Sequence, residues 1–479
     1  MPELAKDDGW RSQLRRDPRG FFSLRNEATR GVEVRLFLSD ALLADIDAQV
    51  YPQMLNATAF PGVKLVVITP DVHSGYGVPV GCVILTDAQH GAVAMGPVGY
   101  DIGCGMISAR SSVAADEATP EQRLRFNRAV IERIELGSGG RSRALRQITQ
   151  SHFEELVRGG AERYVEMHAS RSDRSRTERD RLPVDDAWRA PWGGRGRPER
   201  GVAQLGSLGG GNHFIELQRC VQTDTLFVQV HTGSRGFGHG LATNYFDLAQ
   251  AEKPDTITQL DLGYFTPDSR HHREYLNAVS AGGNFAIVNR LIIYEQISAA
   301  FAEVFGQPLE LIYEISHNLV QLEEHSEFGQ VWVHRKGATR AFPAGHPALR
   351  GTMWQDTGHP VLIPGSNFDS SFILRPLPGA QHSGYSVNHG AGRRMSRSSA
   401  IRDLNRREIE DRYAAAGILV NDDNRVPLDE SGPCYKPSRE VVDCIVDAGL
   451  AEIQYELKPL ASLKGTEKES HGRRKRSRR

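Results

Sequence analysis

Val98-Gly-Tyr-Asp-Ile-Gly-Cys-Gly-Met106 places Asp101 and Cys104 three residues apart among Gly99, Gly103 and Gly105, just after Pro97. Glycine without a Cβ reaches backbone angles closed to other residues, so the stretch predicts a tight turn, not a helix or the middle of a strand. Asp101 offers a hard oxygen; Cys104, once ionised, offers a soft sulfur that can bridge two metal ions. Taken alone, the stretch reads more simply as a glycine turn around a buried cysteine. Histidines elsewhere in the chain change that balance.

Working outward, VKLVVIT over 63–69 is the pattern of a buried strand, and it runs into Pro70-Asp71-Val72-His73. Downstream, Leu208-Gly-Gly-Gly-Asn-His-Phe-Ile-Glu-Leu217 sets Asn212, His213 and Glu216 at the start of an alternating strand. A strand over 226–230 delivers His231-Thr-Gly-Ser-Arg235, and another over 309–315 ends at Ser316-His317-Asn318. One histidine at a strand end is an ordinary hydrogen-bonded residue. Three of them, each beside a polar or glycine turn, together with Asp101 and Cys104, can compose a dinuclear site for Mn²⁺ or Zn²⁺.

A second focus is Ser386-Val-Asn-His-Gly-Ala-Gly-Arg-Arg-Met-Ser-Arg397. An imidazole beside guanidinium groups suits phosphoryl or nucleotidyl transfer, because a neutral ring can attack phosphorus while fixed cations stabilise the growing charge. The plainer reading is a basic loop with a solvated histidine. His334-Arg-Lys-Gly-Ala-Thr-Arg340 is basic and suited to phosphates, or a solvated turn. The chain has no GxxxxGK[ST], so a P-loop mechanism is not expected.

The 479 residues carry a formal charge of −1, so nucleic acid would have to meet a local patch, not a global field. Five scattered cysteines without a CxxC point to reduced thiols and a cytoplasmic location, not a disulfide framework. The N-terminus lacks the apolar core of a signal peptide, and no membrane association is expected. Residues 1–30 read as a polar, weakly ordered lead-in and 170–200 as an Arg-rich mobile insertion or surface loop. Residues 466–479 read as a basic disordered tail able to strengthen nucleic-acid binding. Between them, helices are predicted from Ser39 to a stop near Pro52, and over 121–134, 141–157, 278–304, 399–416 and 440–449. Strands and helices alternate irregularly, which predicts an α+β fold with mixed sheets enclosing a cleft.

Assembled, these blocks resemble the RtcB family of GTP-dependent RNA ligases. The resemblance covers about 60–465 and rests on PDVH (70–73), VGYDIGCGM (98–106), LGGGNHFIEL (208–217), HTGSRG (231–236) and SHN (316–318). It also rests on HRKGATRAFPAGHP (334–347), VLIPGS (361–366), NHGAGRRMSR (388–397) and Lys464-Gly465. It implies a single large catalytic domain over 31–465, two Mn²⁺ ions, GTP, and a covalent histidine–GMP intermediate. By motif position Cys104 would bridge the metals, with Asp101 and His213 on one and His231 and His317 on the other. His389 would be the nucleophile that takes GMP, Asp71 would orient its ring, and Arg393 would assist. Asn212 would contact the phosphates, and Glu216, Tyr435 and Lys464 would hold the guanine. Asn318, Ser366, Ser371 and Gly390 complete the nucleotide-binding set.

The implied reaction joins an RNA 2′,3′-cyclic phosphate or 3′-phosphate end to a 5′-hydroxyl end, as in tRNA splicing or RNA repair. Its partners would be RNA ends, either tRNA halves or cleaved RNA, and an archease-like activator. This chain departs from the family pattern at Asn367-Phe-Asp-Ser-Ser371, at Asn388 before the nucleophile, and at Pro437-Ser438 after Tyr435-Lys436. The first departure motivates an alternative, a 3′-phosphate guanylyltransferase that caps nucleic-acid ends and seals weakly. A dinuclear phosphodiesterase would need neither His389 nor Lys464. A non-catalytic RNA-binding protein would not need the intact metal and nucleophile positions.

Overall fold

The computed structural model describes residues 8–145, 148–177 and 181–465; the basic tail lies outside them. The fold is α+β, built on two large mixed sheets. The first has seven strands in the order Arg15–Asp17, Phe21–Leu24, Glu33–Leu36, Val63–His73, Val80–Asp87, Gly329–Lys336 and Asn318–His325. In the second, the order is Glu310–Ser316, Gly105–Ala114, Thr225–Thr232, Phe214–Cys220, Ala451–Lys464, Ser371–Pro376 and Val361–Ile363. Leu419–Val420 pairs in parallel with the long strand Ala451–Lys464.

Leu65, Val67 and Val333 of the first sheet share a buried cluster with Val361, Phe372 and Leu374 of the second, so the two sheets pack on a common core. The helix His272–Phe305 packs on Gly105–Ala114, Thr225–Thr232 and Glu310–Ser316 of the second sheet. By length and composition it is apolar enough to cross a membrane, but 67% of that window is buried inside the protein. It is a core helix, apolar all round because it is surrounded.

The local readings hold where one signal dominates. The Ser39 side chain caps Asp40–Ala44, and Thr119 caps Pro120–Arg133. Elsewhere position decides. Pro52 was expected to stop a helix but sits in the first turn of Val50–Ala57, where its missing N–H costs nothing. The helix expected over 141–157 instead runs Gln150–His168 and turns back at Gly160, whose φ is 57°.

Residues 9–24, read as weakly ordered, supply the edge strand of the first sheet and its neighbour, and Trp10 stacks on Tyr51 at 5.0 Å. Segment 170–200 is also anchored. Its residues 178–180 fall outside the described ones, but Leu182 and Trp188 are buried. Asn284 of the core helix accepts the Leu182 N–H at 2.8 Å. Stretch 334–340 is not a phosphate loop. Arg335 is buried against Glu323 at 2.6 Å, and Lys336 is spent on backbone carbonyls.

Candidate active and metal site

The predicted site residues converge where the two sheets meet. His317 links the last residue of Glu310–Ser316, in the second sheet, to the first of Asn318–His325, in the first sheet. Antiparallel pairing brings Met106 and Phe214 to either side of His231 and sets Gly105 opposite Ser316. Cys104, His213, His231 and His317 therefore gather at one end of adjacent strands. The 98–106 stretch is the predicted turn: Gly103 has φ +73°, and a Cβ there would lie 2.9 Å from Gly283 Cα of the core helix.

Two overlapping triads result, Cys104–His231–His317 and Asp101–Cys104–His213, each with its ligand atoms within 4.8 Å of one another. Cys104 Sγ lies 3.2 Å from His231 Nε2 and 3.5 Å from His213 Nε2. His231 Nε2 lies 3.2 Å from His317 Nε2, and His213 Nε2 lies 3.1 Å from Asp101 Oδ2.

The outer contacts show what this arrangement is for. His213 Nδ1 donates to the Leu208 carbonyl and His231 Nδ1 to the Asn212 carbonyl, each at 3.1 Å. A carbonyl can only accept, so each ring carries a proton on Nδ1 and turns its Nε2 inward. Burial, reinforced by the neighbouring imidazoles, holds His231 and His317 well below the usual histidine range, which keeps them neutral. Burial, and then the Asp101 carboxylate, pushes the Cys104 thiol well above its own range. Lone pairs and a thiol facing one another in a buried space fit a divalent cation, which would displace the thiol proton.

The same space holds a second device. His389 Nδ1 lies 2.6 Å from Asp71 Oδ2, which also accepts the His389 backbone N–H at 3.1 Å. Thr69 Oγ1 donates to the other Asp71 oxygen at 2.6 Å. Burial raises the Asp71 pKa, but His389 and these hydrogen bonds outweigh it, and the carboxyl stays below its ordinary value. The carboxylate holds the imidazole proton on Nδ1. The His389 ring is 4.9 Å from that of His317, and His389 shares one cavity of about 420 Å³ with Asp101, Cys104, His231 and His317. Asn388, a departure from the family pattern, donates to the Gly390 carbonyl at 2.8 Å and shapes the loop around His389.

Asn212, Asn318, Ser366, Gly390, Arg393, Tyr435 and Lys464 line this cavity. Glu216 and Ser371 are set back in a buried polar cluster, both contacted by Gln218 Nε2, at 2.7 and 3.1 Å. The three arginines behind His389 are not free cations. Arg393 bonds Glu430, the Tyr435 hydroxyl and the Asp429 carbonyl; Arg394 pairs with Asp45; Arg397 pairs with Glu430.

The family model described as "tRNA-splicing ligase RtcB" matches residues 53–465. The chain belongs to the RtcB family. The tRNA-splicing ligase RtcB of Thermococcus kodakarensis is 32% identical over 464 residues, 90% of this chain and 94% of the relative. That of Pyrobaculum aerophilum is 31% identical over 467 residues, 91% and 95%. The RNA-splicing ligase RtcB of Mycobacterium tuberculosis is 34% identical over 440 residues, 86% and 100%. The fold and the enzyme class expected from the motifs are thereby those of RtcB, and this RtcB-family chain is a ligase.

Sequence reasoning missed four supports in this RtcB chain. Arg290 of the core helix is fully buried. It donates to Glu314, to the Gly103 and Thr232 carbonyls and to Ser316, at 2.6 to 2.9 Å, binding the backbone beside Cys104, His231 and His317. Glu430 receives Lys464, Arg393, Arg397 and the Tyr435 hydroxyl. Burial raises its pKa, but Lys464 first, then Tyr435 and the arginines, bring it below the ordinary value. Lys436 Nζ donates to the Pro70 and Val72 carbonyls on either side of Asp71, at 3.1 and 2.7 Å. Lys336 Nζ does the same at Tyr76 and Val78. The one sequence signal was an arginine inside the apolar run Phe285–Ile293.

Proposed function

We propose that this RtcB-family protein is a GTP-dependent RNA ligase joining RNA 2′,3′-cyclic phosphate or 3′-phosphate ends to 5′-hydroxyl ends, with His389 carrying the nucleotide. The observation that supports this reading is the His389–Asp71 pair opening onto the cavity of the metal triads. A dinuclear phosphodiesterase, whose metals activate water, would not need a nucleophilic imidazole.

In this reading His389 Nε2 attacks the α-phosphorus of GTP and pyrophosphate leaves, giving a P–N bond to GMP. Asp71 holds the Nδ1 proton as positive charge develops on the ring. After hydrolytic opening of any cyclic phosphate, an oxygen of the RNA 3′-phosphate attacks the GMP phosphorus. The P–N bond breaks and RNA(3′)pp(5′)G forms. The 5′-hydroxyl then attacks the RNA-side phosphorus and GMP leaves. Asp101 and His213 would hold one Mn²⁺ and His231 and His317 the other, with Cys104 shared; bound there, the ions supply Lewis-acid neutralisation of phosphate oxygens. Asn212, Asn318 and Gly390 face the phosphates, Arg393 steadies Tyr435, and Glu216, Ser366, Ser371, Tyr435 and Lys464 serve the base.

The substrates would be tRNA halves or cleaved RNA, with an archease-like protein as activator. The test is to supply a 3′-phosphate strand and a 5′-hydroxyl strand with GTP and Mn²⁺, with and without such an activator. A joined phosphodiester is expected. Guanylylated 3′ ends without joining would show a capping enzyme, and joining of 3′-hydroxyl to 5′-phosphate ends would refute the chemistry.

A further inference from the structure

Residues 75–78 are tied down along their backbone, while their one large side chain points into solvent. Gln53 bonds Gly75 twice, donating to its carbonyl at 2.7 Å and accepting its N–H at 2.9 Å. Asn56 donates to the Gly77 carbonyl at 2.8 Å, and Lys336 Nζ donates to the carbonyls of Tyr76 and Val78 at 2.6 and 3.0 Å. Yet the Tyr76 side chain is 71% exposed, the most of any large apolar side chain among the described residues. Folding gains little from an aromatic ring left in water on a rigid loop, and such rings mark binding surfaces.

The ring is not alone. Tyr76 meets Tyr100 at 6.3 Å and 90°, and Tyr100 is itself braced by Phe246 at 4.9 Å and by the exposed His239 at 5.2 Å. The Tyr100 hydroxyl donates to Asp261 at 3.1 Å, which fixes its plane. Tyr76, Tyr100 and Phe246 line the cavity that holds the metal triads and His389. Arg393, Arg397, Tyr435 and Lys464 line the same cavity, and Asp101 follows Tyr100 directly in the chain. If a nucleotide base uses that group, the aromatic corner is left for another ligand of the same reaction. Two rigid rings set at a right angle offer a face and an edge to a flat partner, and every nucleobase has a π-face.

We propose that Tyr76 and Tyr100 form a stacking seat for the terminal nucleobase of an RNA end presented to His389; this rests on the RNA-ligase reading above. Either RNA end could supply that base, and the experiment separates them. Single-stranded RNAs carrying 2-aminopurine at the 3′-phosphate terminus or at the 5′-hydroxyl terminus are titrated with the full chain, with Tyr76→Phe and with Tyr76→Ala. Stacking quenches the fluorophore. The full chain and Tyr76→Phe should quench one terminal probe. Tyr76→Ala should lose the quench and bind about five- to a hundredfold more weakly. Unaltered quenching and affinity in Tyr76→Ala, or no terminal quenching by the full chain, would overturn the seat. Labelling of the full chain by GTP is measured alongside. Label without quenching refutes the seat alone, whereas quenching without label refutes the guanylyl-transfer reading and leaves the seat standing.

Discussion

Glu216→Gln is a substitution whose effect can be worked from the fold. Glu216 is 2% exposed and accepts from Gln218 at 2.7 Å. Burial lifts its pKa from 4.5 to about 8, against the opposing pull of Gln218, Lys464 and Ser462. Between those two values the folded protein holds a proton that the unfolded chain has released. Stability therefore falls as pH rises through this window and levels off above it. At about 1.4 kcal/mol per pH unit, burying Glu216 costs about 3 kcal/mol at neutral pH. Glutamine is neutral throughout and keeps an acceptor for Gln218, so the variant should match the natural protein near pH 5 and exceed it increasingly towards pH 8. Urea unfolding of both proteins at several pH values across about 5 to 8 measures this directly. A gap independent of pH would refute the reasoning. The same titration bears on function. Only the ionised carboxylate accepts guanine N–H donors without donating, so affinity for GTP should rise with pH in the natural protein and stay flat in the variant.

Arg290→Met strands the buried Glu314 carboxylate and should cost about 3–5 kcal/mol in denaturant unfolding. Adding Glu314→Gln should recover part of that loss, which a purely steric defect would not allow. Cys104→Ala should abolish binding of both Mn²⁺ ions, whereas His317→Ala should lose one; metal counting after dialysis against Mn²⁺ separates the two. Asp71→Asn should slow covalent labelling by GTP about 10–100-fold while leaving the bound Mn²⁺ unchanged, since Asp71 bonds the ring of the proposed nucleophile His389 and belongs to neither triad.

The chemistry was legible in the sequence where it sits at local breaks. Asp101 and Cys104 among glycines, and His213, His231 and His317 at strand boundaries beside polar or glycine turns, stand out as a set, although none of them does so alone. What brings them together is long-range pairing. That Met106 lies beside His231 depends on register between strands more than a hundred residues apart, and no local pattern carries it. The supports were harder still. Glu430 lies in a polar loop without periodicity, and only its burial among three cations shows its role. The basic stretch 334–340 misled because charge was read as exposure, whereas Arg335 and Lys336 are buried and satisfied internally. The opening 9–24 misled in the opposite sense: its few aromatic residues, Trp10, Phe21 and Phe22, bury enough apolar surface to order a stretch rich in arginine.

The central claim is that His389 carries a nucleotide. Incubation of the full chain with α-labelled GTP and Mn²⁺, followed by denaturing electrophoresis, tests it most directly, with His389→Ala run beside it. The account predicts a covalent, acid-labile label on the natural protein and none on the variant. An unlabelled natural protein with Mn²⁺ shown to be bound and an activator supplied, or an equally labelled His389→Ala, would contradict it.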